Sequence, residues 1–329
     1  DKTTLRTTDL ELTIDLEISV SIEEEGSAAV PLKQLYDITN ELPETRITII
    51  ADIKNKIEIK TNSGSYDLMG KQKEEFPTMP KVEEKNRISI SGNVFRNIID
   101  STLFAVSKDD LKPSLTGVLF RFSSTGLTAV ATDGHRLVKI TRQNETNIGQ
   151  GYIIPKKYLN ILNTFLEGQK ETSLIFSEDY VFSNNGKDVF YSKIIDEKFP
   201  NYNAVIPESN PEKLTAQKTE MLNNIKAASI ATNKNTNQIS LNFSEGKVYF
   251  KSVNQPESKT VYAPVKSAEY KGEELAIGFN AVYLKEAVAK YPSEEISFTF
   301  KDANSATLFL PKEDDQKTII LLMPVRINE

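Results

Sequence analysis

At 329 residues the chain is long for a single hydrophobic core and comfortable for two or three domains. Its hydrophobic content of 39% with 26% charged residues excludes a disordered chain, and its net charge of −6 gives no overall sign of a nucleic-acid partner. It carries no cysteine, so disulfides and thiolate metal sites are excluded, which fits a reducing cytoplasm; no apolar run is long enough for a bilayer, and no signal-peptide pattern opens the sequence.

Taken in chain order, one plan recurs three times. The first copy carries Thr8-Asp9-Leu10-Glu11-Leu12, then Ala29-Val30-Pro31-Leu32-Lys33-Gln34-Leu35, then Ser63-Gly64-Ser65-Tyr66-Asp67-Leu68, then Glu75-Phe76-Pro77. The second carries Thr132-Asp133, Ile153-Ile154-Pro155-Lys156-Lys157-Tyr158-Leu159, Asn185-Gly186-Lys187 and Lys198-Phe199-Pro200. Asp9 to Asp133, Pro31 to Pro155 and Pro77 to Pro200 are offset by nearly the same number of residues, which marks an internal repeat. The third copy is weaker but in register, with Ile277-Gly278-Phe279-Asn280 at the helix start and Leu284 aligned with Leu35 and Leu159.

Each copy alternates helical patterns with short strands. Phe95, Ile98, Ile99, Thr102, Leu103 and Val106 recur at helical spacing and predict a helix over 93–106 with that stripe buried. Its counterpart spans 217–234, with Leu222, Ile225 and Ser229 inward. Helices over 31–42, 155–166 and 280–291 open at Pro31, Pro155 and Asn280; proline in a first turn costs no hydrogen bond. Strands are predicted over 117–123, 173–176, 238–243, 247–252, 297–300 and 318–323. Many short strands with a helix pair per copy predict an α+β fold, sheets on one side and helices on the other. The Phe-Pro connectors, Phe76 to Lys81 and Phe199 to Pro211, divide the chain into domains 1–80, 81–207 and 208–329. By the internal ruler, about forty residues and one helix of the first copy are expected ahead of Asp1.

The turn Ala131-Thr132-Asp133-Gly134-His135-Arg136-Leu137 holds the only histidine. For the backbone it is an Asp-Gly hairpin, the two residues that tolerate positive φ standing between alternating apolar runs. The first copy has Asp9-Leu10-Glu11 at this place and the third Val253-Asn254-Gln255, so only the middle copy shows Asp-Gly-His-Arg. A residue set specialised in one copy of three points to a localised site.

Charge is unevenly placed. Counting Lys and Arg against Asp and Glu, the five predicted helices carry −1, 0, +2, +2 and +1, a total of +4, which leaves −10 for the rest of a −6 chain. The helix over 155–166 has Lys156, Lys157, Asn160 and Asn163 and no carboxylate. Basic or neutral helices in an acidic chain suit a polyanion on the helical side; an ordinary solvated helix face is the competing account. Two other classes compete. An enzyme finds little support, since there is no Gly-x-Ser-x-Gly, no Walker phosphate loop, no His-Glu-x-x-His, and no nucleophile identifiable beside Asp133 and His135. A surface-exposed structural repeat is opposed by the basic helix faces and the absent export pattern.

Residues 131–137, the twin Phe-Pro connectors, Ile277 to Asn280 and the closing Met323-Pro324-Val325-Arg326 together resemble the bacterial sliding-clamp family, the beta subunits of DNA polymerase III. The resemblance spans the chain. It implies a non-catalytic, cofactor-free processivity factor: a homodimer ring of six similar domains, helices lining a hole that holds duplex DNA without reading its sequence. A pocket is implied where the polymerase alpha subunit, the clamp loader, other polymerases and repair proteins insert short peptides. Carried over by position, its wall is Leu115, Thr132, Gly134, His135, Arg136, Leu137, Pro200, Val205, Tyr283, Leu321, Met323, Pro324, Val325 and Arg326. Leu115, Leu137, Val205, Leu321 and Met323 offer an apolar floor, with Arg136, Arg326 and the backbone near Gly134 expected to fix the peptide's polar end. The cations expected to face DNA are Lys33, Arg96, Lys156, Lys157, Lys218, Lys226, Lys285 and Lys290. Tyr66 and Leu68 are expected to meet Ile230 and Ala231 of the second chain. The sequence departs from the family at Pro113 and Ser114, where some clamps carry aromatic residues that touch DNA, and at Asn328 and Glu329, which run past the usual end toward the pocket's rim.

Overall fold

The computed structural model describes residues 1–80, 86–124, 126–143, 149–184, 186–244, 246–311 and 317–327; Lys81, Asn185, Asn328 and Glu329, named above, lie outside them. Element order displays the repeat directly. The last copy runs through one strand, one helix, four strands, a second helix and three strands, and the middle copy has the same order. In the middle copy these are β6 (Arg87–Ser91), α2 (Gly92–Thr102), β7 (Gly117–Ser123), β8 (Gly126–Thr132), β9 (Arg136–Arg142), β10 (Gly151–Pro155), α3 (Lys156–Phe165), β11 (Glu171–Phe176), β12 (Tyr180–Asn184) and β13 (Val189–Lys193). In the last they are β14 (Glu212–Gln217), α4 (Lys218–Ser229), β15 (Gln238–Ser244), β16 (Lys247–Asn254), β17 (Lys259–Pro264), β18 (Leu275–Asn280), α5 (Ala281–Lys290), β19 (Glu295–Phe300), β20 (Thr307–Phe309) and β21 (Ile319–Leu322). The first copy supplies β1 (Lys2–Thr8), β2 (Leu12–Ser19), α1 (Leu32–Glu41), β3 (Thr48–Ala51), β4 (Lys56–Thr61) and β5 (Gly64–Met69).

The helices begin where local chemistry directs. Pro31 and Pro155 cap α1 and α3 in extended conformation, and the Asn280 side chain accepts from the amides of Val282 and Tyr283 at the start of α5. α2 buries Phe95, Ile98, Ile99 and Thr102, as the spacing predicts, but ends at Thr102 in a 3-10 turn over Leu103–Ala105. The Thr102 hydroxyl there donates back to the Ile98 carbonyl at 2.7 Å. α4 departs from expectation: it stops at Ser229, and its buried stripe is Met221, Ile225 and Ala228, while Leu222 and Ser229 are only partly covered. Ile225 is common to both stripes, while Met221 and Ala228, each one position earlier, take the inner places expected for Leu222 and Ser229.

Two compact groups emerge from packing: Asp1–Arg87 with Ser173–Ser192, and Ile88–Thr172 with Lys193–Glu329. In the first, antiparallel strands run in the order β1-β2-β13-β12-β11, and a second sheet runs β3-β4-β5. Ile57 and Ile59 of β4 are fully buried, whereas α1 buries no residue. In the second group an eight-stranded sheet runs β10-β7-β8-β9-β21-β20-β19-β14, and a four-stranded sheet runs β17-β16-β15-β18. There α2 packs on α3 and α4 on α5, with α4 also lying on β16 and β17. Each group joins segments from more than one copy of the repeat. The physical reason is strand pairing: β13 extends the sheet of β2, and β21 extends that of β9, so sheets run through the ends of the repeats. The β9–β21 pairing sets Leu137 opposite Leu321.

Candidate peptide-binding site

The turn between β8 and β9 is built by an aspartate. One Asp133 carboxylate oxygen accepts from the amides of His135 (2.9 Å) and Arg136 (3.0 Å). The Thr132 hydroxyl donates to the Arg136 carbonyl at 2.7 Å and accepts from the Gly134 amide at 3.1 Å. Between β1 and β2 the same contacts recur: Asp9 accepts from the amides of Glu11 and Leu12, and the Thr8 hydroxyl bonds the Leu12 carbonyl and the Leu10 amide. Thr-Asp is therefore turn scaffold shared by two copies, and what distinguishes the middle copy is Gly134, His135 and Arg136. The turn demands a left-handed residue at its third position. Gly134 meets this at φ +91°, whereas Leu10 adopts φ +78° with a side chain left exposed.

Arg136 is only 7% exposed. Its guanidinium lies 4.4 Å over the Tyr283 ring and 5.3 Å from that of Phe104, bonds Asp133 through Nε at 3.0 Å, and pairs with Glu286 through Nη1. Two of its nitrogens, Nε and Nη1, are thus bonded to carboxylates inside the protein, which gives the guanidinium a bracing role in the turn. His135 is exposed; its ring stacks on Tyr283 at 6.0 Å, and its carbonyl accepts from the Met323 amide at 2.8 Å. The chain after β21 is therefore fastened to the turn, and the Val325 amide fastens it again by donating to the Gly278 carbonyl at 2.8 Å, on the outer edge of β18.

Beneath this segment lies an apolar floor. Leu137 and Leu321 are buried with Leu119, Val130, Ile153 and Tyr202, and Phe199 and Ile206 pack on the same cluster half-buried. Three of the five residues assigned to the floor, Leu137, Leu321 and Leu115, are thus buried, and only Val205 and Met323 are open at the surface. Val205 and Met323 are exposed at 54% and 37%, and Pro200, in the same connector as Val205, is exposed as well, its carbonyl accepting from the Tyr202 amide. Pro324 and Val325 are half-buried and Arg326 is exposed. Leu115 is buried at the end of a 3-10 turn, its carbonyl accepting from the Ser107 amide. Phe199, Tyr202 and Ile206 are not among the pocket residues expected from the sequence although they lie within the second Phe-Pro connector, where aromatic residues near proline are the available signal. Phe104 and Glu286 were also missed; Tyr283 and Glu286 stand three apart on α5, a spacing that puts both on one helix face. Among the described residues no group of three or more His, Asp or Glu is arranged to hold a metal ion.

Three family models cover nearly the whole chain: the N-terminal domain of the DNA polymerase III beta subunit matches residues 1–80, its central domain 89–201, and its C-terminal domain 203–326. The chain belongs to the DNA polymerase III beta-subunit family. A beta sliding clamp of Pseudomonas aeruginosa is 28% identical over 329 residues, spanning 98% of this chain and 89% of the relative; one from Staphylococcus aureus is 28% identical over 316 residues, 95% and 84% respectively. Among solved structures, a sliding clamp from Bartonella birtlesii bound to griselimycin superposes with TM-score 0.93 at 29% identity, covering 99% of this chain and 89% of that one. A Pseudomonas aeruginosa clamp bound to griselimycin gives 0.90 at 28%, with the same coverage. The protein is a DNA sliding clamp with the α+β clamp fold, a non-catalytic processivity subunit.

The clamp's helix cations are not equivalent. Lys33, Lys157, Lys226, Lys285 and Lys290 are exposed on their helices. Arg96 is half-buried and lies 3.6 Å from the Glu167 carboxylate. Lys218 is half-buried, and its ammonium bonds the Tyr291 carbonyl at 2.7 Å, capping the end of α5. Lys156 is half-buried, and burial, with Lys108 and Arg136 nearby, holds its ammonium below the usual lysine range against the opposing pull of Glu286. Of the residues assigned to chain pairing, Tyr66 and Leu68 lie on β5, at the edge of its three-stranded sheet, and Ile230 is 71% exposed. Ala231 has no exposed surface, so within that set it can only support its neighbour.

Proposed function

We propose that two copies of this chain, each with repeated domains over 1–80, 81–207 and 208–329, close a ring around duplex DNA. In this reading the exposed helix lysines meet phosphates without reading bases, and the ring holds DNA by topology. The surface over Leu137 and Leu321, bounded by His135, Val205 and Met323, takes short peptides from the polymerase alpha subunit, the clamp loader, other polymerases and repair proteins. Work of this kind belongs in the cytoplasm; no described helix is long and apolar enough to cross a membrane.

The observation carrying the reading is the fastening of the C-terminal segment to the one specialised turn, Met323 to His135, above an apolar floor shared by β9 and β21. Griselimycin in the Bartonella and Pseudomonas relatives adds that clamps of this fold accept a ligand. The test is retention on DNA. After loading, the protein should stay on nicked circular DNA and be lost when the circle is cut; equal retention on both would defeat the ring. Chain pairing is read separately by native mass measurement, with Ile230→Glu and Tyr66→Ala expected to shift the protein toward single chains.

A further inference from the structure

We infer that Glu286 is a positioning residue for the peptide pocket, clamping the Arg136 guanidinium onto Tyr283 and thereby holding the β8–β9 turn and the C-terminal segment in binding register. The inference rests on the pocket reading above and adds a residue that lies outside the pocket wall. Its basis is a connected set of contacts. Glu286 and Tyr283 share a face of α5, and both engage Arg136, the carboxylate at Nη1 and the ring under the guanidinium plane at 4.4 Å. Tyr283 is also stacked on His135, so one ring is shared between the buried arginine and the exposed histidine. The His135 carbonyl in turn holds the Met323 amide. A displacement of the guanidinium therefore loosens three things together: the ring, the histidine and the start of the C-terminal segment.

Asp133 alone does not give this control. It holds Arg136 from the turn's own side, at Nε, and would move with the turn; Glu286 is the anchor on a separate element. The Glu286 side chain is 39% exposed against 8% for Arg136, so the carboxylate can be altered without opening the core. Lys156 adds to the demand for a negative charge here, since it is desolvated near Arg136 and Lys108, and Glu286 is the carboxylate that favours its charged form.

The test is a double-mutant cycle read by griselimycin affinity. Glu286→Gln should weaken binding roughly three- to twenty-fold, the range of one partly exposed charge-assisted hydrogen bond. Glu286→Asp should recover most of the loss, and Glu286→Gln should have little effect once Arg136 is already Met. Melting temperature is followed in parallel; if Arg136→Met does not fold, Tyr283→Leu serves as the second background. Unchanged affinity in Glu286→Gln, or an equal loss in both backgrounds, overturns the inference while leaving the pocket intact. Failure of the unmodified protein to bind griselimycin would instead remove the pocket reading and the inference with it.

Discussion

Replacing Gly278 by alanine should detach the C-terminal segment while leaving the rest of the protein in place. Gly278 lies in β18, whose inner edge pairs with β15 and whose outer edge receives Val325. A Cβ added there would stand 2.3 Å from the Val325 carbonyl oxygen and 3.0 Å from Ile327 Cγ1. Opening the backbone contact to 3.0 Å requires a shift of about 0.7 Å, which stretches the 2.8 Å Val325–Gly278 hydrogen bond to about 3.5 Å, the limit of useful geometry. The loss is then about 1 kcal/mol, or roughly a fivefold rise in the detached form. Alanine in a strand interior otherwise favours folding by roughly 0.5–1 kcal/mol relative to glycine, so global stability should barely move. The two effects are separated by measuring amide exchange at Val325 and Met323 together with the melting temperature and griselimycin affinity. Exchange at Val325 should quicken and affinity fall several-fold. A variant with unchanged Val325 protection and undiminished affinity would show that the segment is not seated on this edge.

Truncation after Leu322 removes both fastenings of that segment and should abolish griselimycin binding while the duplex-encircling assay still reports retention; unaltered affinity would contradict the pocket. Lys157→Gln should reduce the slope of log K against log salt on duplex DNA by about 0.9, the effect of one phosphate contact, whereas Lys156→Gln should leave the slope alone because that ammonium lies half-buried beside Arg136. Tyr270 is pushed up to about 12 by burial and by its bond to Glu212. A tyrosine whose folded value exceeds its unfolded one of about 10 contributes stability that is whole below pH 10 and lost as pH rises toward 12. The advantage of the wild type over Tyr270→Phe in urea midpoint should shrink across that interval, and a constant gap would rule the linkage out.

Repetition is what made the fold legible. Spacing between Asp9 and Asp133, and between Pro31 and Pro155, sets the first two copies in register, Ile277 to Asn280 and Leu284 add the third, and helix starts at Pro31, Pro155 and Asn280 follow from capping chemistry that acts within one turn. The buried stripe of α4 was misread by one position because methionine and leucine are equally apolar on paper, and only the neighbouring α5 and β16 decide which of them is inside. Arg136 is marked in the sequence by its place in the turn, but nothing there reveals that Phe104, Tyr283 and Glu286 converge on it from distant segments.

By itself the sequence determined what depends on neighbours along the chain: the Thr-Asp turn, the left-handed residue at Gly134, the helix caps, the alternation of the strands and the concentration of positive charge on helices. Tertiary structure alone decided which residues are spent internally and which remain at the surface. Lys218 and Lys226 share one helix, yet a carbonyl from α5 takes the first and leaves the second exposed; Ile230 and Ala231 are adjacent, yet one is outside and the other sealed. Local propensity is a property of a few consecutive residues, whereas burial is set by surfaces that meet only after sheets such as β9–β21 have joined segments about 180 residues apart.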